Sequence, residues 1–194
     1  MPILGTVASQ FAGKPFASFE SIQTASVDSG GTSYVEFTSI PSTYTHLQLR
    51  LLMRTNRPTY TIDNWRMTFN NDTSTNYSDN VLLSGPGSPA TPTLSAQPNI
   101  SGFTFLSSTT VINNTFSVAV IDILDYKNTN KYKSIRGLVG HDTNGIVADY
   151  GGHVLVTGGA WRNTDAITSI KFVPATGSLI TQYSKASLYG IVGS

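Results

Sequence analysis

YVEFTSIPSTYTHLQLRLLMR, residues 34–54, consists of two alternating apolar/polar runs joined by the turn formers Ile40-Pro41-Ser42-Thr43. In the second run Leu47, Leu49, Leu51 and Met53 share one face, and His46, Gln48, Arg50 and Arg54 share the other. A period of two is the signature of a strand with one face in a core and one outside it. Leu49 lies in the middle of the most regular run, so it is an expected core residue.

The same grammar repeats along the chain. Strands are expected at Phe19 to Val27, Tyr34 to Thr38, His46 to Arg54, Trp65 to Asn70 and Tyr77 to Leu83. Further strands are expected at Phe116 to Leu124, Tyr132 to Gly140, Ile146 to Thr157, Ile167 to Val173 and Lys185 to Val192. Turn residues separate them, among them Asp28-Ser29-Gly30-Gly31, Asn70-Asn71-Asp72 and Asp142-Thr143-Asn144-Gly145. No stretch of a dozen residues carries the apolar period of a helix, which argues against βαβ units and helical bundles. The expected fold is all-β: an antiparallel two-sheet sandwich, jelly-roll-like, with an extended N-terminal arm.

Composition supports one such domain and excludes several functions. A chain of 194 residues buries enough surface to form a core without cross-links. Cys is absent, which removes disulfide scaffolds and thiolate metal sites. Only 12% of residues are charged and the net charge is +1, far from the basic footprint of a nucleic-acid binder. The surface must be made of Ser, Thr and Asn, and it repels a neighbouring copy only weakly. No apolar run reaches the length of a membrane-spanning helix, and the first residues do not read as a signal peptide. No nucleic-acid partner and no membrane partner are expected.

Three segments depart from plain alternation. Residues 1–16 scatter Ile3, Leu4, Val7, Phe11 and Phe16 among Gly, Ser and Pro. They form either a frayed tail or an extended arm whose apolar residues are buried only against a neighbour. The remainder, 17–194, reads as a single β-sandwich domain with a Pro-rich exposed loop at 84–102, where four prolines suppress ladder pairing. In Phe116 to Leu124 both faces are apolar: Phe116, Val118 and Val120 on one side, Ala119, Ile121 and Ile123 on the other. The expectation is a central strand covered outside by a loop or terminal segment, with another subunit as the alternative cover.

Reactive groups are sparse. The three histidines, His46, His141 and His153, stand at no recognised metal spacing, and no nucleophile elbow or phosphate loop is present. Asp122 and Asp125 are too close in sequence to flank a sugar ring as an acid pair. The oxygen-rich run from Asn70 to Asn76 lacks the Gly and Glu of a calcium loop and reads as a polar turn. No catalytic residue, cofactor or metal is therefore expected. Trp65 alternates with Met67 and Phe69 and reads as core, whereas Trp161 and Arg162, beside Gly158-Gly159, are the candidate exposed platform for a ligand such as a sugar.

Several of these strings together resemble a known family. They are Phe19-Glu20-Ser21-Ile22, the run from Phe37 to Arg50, Asp122-Ile123-Leu124-Asp125-Tyr126 with Asn128-Thr129-Asn130-Lys131-Tyr132-Lys133, and Ser187-Leu188-Tyr189-Gly190-Ile191. From about Phe16 to Ile191 the chain is similar to tailed-bacteriophage virion proteins, the β-sandwich capsid cement (decoration) or tail-associated proteins. The resemblance implies a structural protein of the capsid exterior, made in the host cytoplasm. It also implies binding to the major capsid protein and self-association as a homo-oligomer, dimer or trimer. The alternative is a tail-associated or receptor-binding module that recognises a host surface glycan. No catalytic residue comes with the resemblance.

Overall fold

The computed structural model describes residues 18–84, 93–102, 106–143 and 152–193. Among them the chain is all-β: β1 (Phe19–Ser26), β2 (Val35–Phe37), β3 (His46–Met53), β4 (Ile62–Asp63), β5 (Trp65–Phe69), β6 (Tyr77–Ser84), β7 (Thr93–Gln97), β8 (Leu106–Ser107), β9 (Ser117–Leu124), β10 (Lys133–His141), β11 (His153–Trp161), β12 (Ile170–Pro174) and β13 (Lys185–Ile191). An eight-stranded antiparallel sheet runs β1-β13-β3-β9-β10-β11-β6-β7, and a three-stranded one runs β2-β12-β5. The strands β4 and β8 pair separately.

The two main sheets bury their inner faces against each other, as the alternation demands. Leu47, Leu49, Leu51 and Met53 of β3 join Ile121 and Ile123 of β9 in one core with Phe37, Met67, Phe69 and Phe172 of the small sheet. Aromatic rings stitch the layers: the Phe69 ring lies 5.6 Å from Trp161, and Phe69 N–H donates to the Tyr77 hydroxyl at 3.0 Å. The segment 34–54 is not a hairpin. Its turn carries the chain from β2 in the small sheet to β3 in the large one, with Ser39 at φ 54°.

Two expectations are corrected. Residues 84–102 are not one exposed loop, because β7 adds to β6 as the sheet edge and Ile100 is buried, exchanging both backbone hydrogen bonds with Met67 at 2.9 Å. The prolines permit this: Thr93–Gln97 lies between Pro92 and Pro98, and an edge strand needs only one ladder. The strand expected from Ile146 to Thr157 is seen among the described residues as His153–Trp161 and runs on past Thr157, so Gly158 and Gly159 continue the strand rather than turn it. The arm residues Ile3, Leu4, Val7, Phe11 and Phe16 lie outside the described residues.

Candidate functional site

Trp161 is not a ligand platform. It ends β11 facing inward, fully buried, with its indole N–H donating to Asp72 at 2.8 Å and its ring against Phe69 and Tyr77. The large apolar ring is worth more in the core than in water. Arg162 points out, but its guanidinium is held by the carbonyls of Thr75 and Asn76. Asp72 also accepts from Ser74 N–H and the Asn76 amide, so both its oxygens face N–H donors and the Asn70 to Asn76 run is a polar turn.

Buried polar groups are likewise spent on holding loops. The Lys133 ammonium, with no exposed surface, donates to the carbonyls of Asn128, Lys131 and Thr164 at 2.5, 3.1 and 3.0 Å. Arg54 donates to the carbonyls of Ile112 and Thr115 at 2.8 and 3.0 Å, and to that of Val111 at 3.2 Å. Asp63 accepts from Thr176, Ser178 and the Asn64 backbone.

One cluster carries groups that could act as nucleophile and base. His141 and His153 are cross-strand partners at the end of the β10–β11 pair, and the hydroxyls of Ser107 and Ser117 lie 3.0 and 3.1 Å from His141 Nδ1. No motif spacing points to this cluster, because the pairing depends on hairpin register. All four side chains are buried, and burial, then the neighbouring His153, holds His141 down at about 4. A base that weak and enclosed suits structure better than proton transfer. Among the described residues no three His, Asp or Glu side chains gather where they could hold a metal ion.

What the chain presents to its surroundings is the outer face of the large sheet. Because β3, β9, β10, β11 and β6 pair in register, Arg50, Val120, Leu138, Val156 and Leu82 form one row across five strands. Leu52, Val118, Gly140 and Val154 form the next row. The leucines and valines of these rows are 40 to 53% exposed. Thus β9 is a central strand as expected, but among the described residues neither loop nor terminus covers its second face. A shallow groove of about 430 Å³ runs beside Val120, Leu138 and Val156.

The row on the other side is polar. Asp122 accepts from the Gln48 amide at 2.9 Å and from Arg136 at 2.8 Å. Partial burial pushes its carboxyl up, but the hydrogen bonds from Arg136 and Gln48 outweigh that and hold it below the usual carboxylate range. Arg50 donates to Gln48 at 3.1 Å and stacks over the Phe19 and Tyr189 rings, 4.9 and 5.2 Å from their centres. The outer face is therefore an apolar half bounded by a fixed, mixed-charge border. Comparison with protein-family models finds no match for this chain, and comparison with curated proteins finds none either.

Proposed function

We propose that this chain is a structural virion protein of a tailed phage: a cement protein of the capsid exterior that binds and reinforces the lattice of major capsid protein. The observation that carries this reading is the wide leucine and valine face on a sandwich with only 12% charged residues. Such a face is built to be covered by protein, and a weakly charged surface lets many copies pack side by side. The family resemblance points the same way. The N-terminal residues Ile3, Leu4, Val7, Phe11 and Phe16 are then the contacts that clamp neighbouring capsid subunits.

No chemistry is needed for this role, and no enzymatic activity is assigned. A protein that binds the assembled shell better than its separate subunits stabilises the shell by linkage, and many modest contacts act together through multivalency. The alternative, glycan recognition at the tail, loses its best aromatic anchor with Trp161 in the core. Three measurements test the proposal. Quantitative mass spectrometry of virions is expected to find this chain in capsid-like rather than tail-like copy number. Adding the protein to undecorated capsids is expected to raise their disruption temperature, and a chain lacking residues 1–16 is expected to fold yet decorate poorly. A handful of copies per virion would move the protein to the tail.

A further inference from the structure

The uncovered half of the outer face is chemically uniform, which narrows what can cover it. Its rows carry Leu and Val with no hydrogen-bonding side chain between Val120 and Leu82, so sugars and nucleotides find nothing there to pair with their polar groups. With its side chains each showing about half of their surface, the patch presents roughly 600 Å², the top of the range a monomer leaves exposed.

We propose that this face is covered by a second copy of the chain, in a two-fold dimer that stacks the two large sheets face to face. Area supports it: two such patches bury about 1,200 Å², the lower bound of a stable specific interface. Charge supports it as well. The border carries both signs, Asp122 held by Arg136 on one side and Arg50 on another, so a copy of the same border meets no field of like charge. Symmetry closes the contact, because an isologous pairing of one patch with itself leaves no apolar face over, whereas a head-to-tail contact would continue into a filament. Two sheets stacked this way interdigitate about 10 Å apart, as they do within a sandwich. The inference deepens the self-association expected under the virion reading by naming its face and symmetry, and its test on the free protein stands apart from that reading.

Sedimentation equilibrium of the purified full chain over a concentration series tests it. The expected mass is twice the 20.8 kDa of the chain. Leu138→Lys and Val156→Lys are expected to weaken dimerisation by at least ~10-fold, leaving the thermal unfolding midpoint of the monomer unchanged, because both side chains are half exposed. Ser134→Lys, farther along β10 on the same face beyond the polar row, is expected to stay dimeric. A wild-type monomer at every concentration, a trimer, or a dimer indifferent to both substitutions on the apolar rows would each overturn the proposal. A dimer from a protein that leaves capsid stability unchanged would sink only the cement reading, and a stabilising monomer only the dimer.

Discussion

His141 and His153 face each other as direct partners across the β10–β11 ladder, two imidazoles buried side by side with Ser107 and Ser117 within hydrogen-bond reach of His141 Nδ1. Among the described residues His141 Nε2 has no hydrogen-bond partner, and the attraction of Asp142 for a charged ring is outweighed by burial. Burial, with His153 adding to it, lowers its pKa from 6.5 to about 4. Between these values the unfolded chain holds a proton that the folded chain does not. Stability is therefore complete above about pH 6.5 and falls as pH drops toward 4, by up to about 3 kcal/mol. Urea midpoints measured from neutral to acid pH are expected to fall across that window, and His141→Gln is expected to flatten that part of the curve. Parallel wild-type and variant curves would refute the assignment.

Lys133 makes a different use of burial. Its ammonium fits three backbone carbonyls and ties residues 128–131 to the loop at Thr164. Burial lowers its pKa, and Asp165 and Asp125 counter that effect. Lys133→Met leaves three partly buried carbonyls without their donor and is expected to cost on the order of 2 kcal/mol. Lys133→Arg is not expected to rescue it, because a planar fork does not match three converging carbonyls. Guanidinium titrations of the two variants check both statements; recovery by arginine would show that charge alone matters.

The features legible in the sequence are those set by local alternation. In His46–Met53 one face is core, so burial imposes a period of two that shows in the residues themselves. The same logic revealed two apolar faces in the strand at Val118 and Val120, but an apolar face does not name its cover. Trp161 was misplaced because Gly158-Gly159 carries turn composition. Here the ladder overrides it: β11 runs between β10 and β6, and a Cβ on Gly158 would stand 2.7 Å from Asn80 Oδ1. Gly158 sits opposite the Asn80 side chain inside the sheet, and composition cannot distinguish such a glycine from one in a turn. The His141–His153 pair was illegible for a third reason: it depends on pairing across a hairpin whose register is fixed by tertiary structure.

Gly190 is the sharpest steric test of the fold. In β13 its absent side chain leaves room for the Tyr44 ring, whose hydroxyl donates to Glu20 on β1 at 2.8 Å. A Cβ at Gly190 would fall 2.2 Å from Tyr44 Cγ and 2.3 and 2.5 Å from the adjoining ring carbons. That contact is with the rigid base of the ring rather than a flexible tip, so the tyrosine must leave its site or the strand must shift. Overpacking of this kind costs about 1–3 kcal/mol or more, and Gly190→Ala is expected at the upper end because Tyr44 is itself buried. Removing the ring removes the obstacle. Tyr44→Ala alone is expected to be destabilising through the cavity it leaves, but Gly190→Ala added to it is expected to cost little more. The double-mutant cycle thus gives a coupling of at least about 1 kcal/mol, read from thermal or denaturant unfolding of the four proteins. Strictly additive losses would mean that Tyr44 does not occupy the space over Gly190.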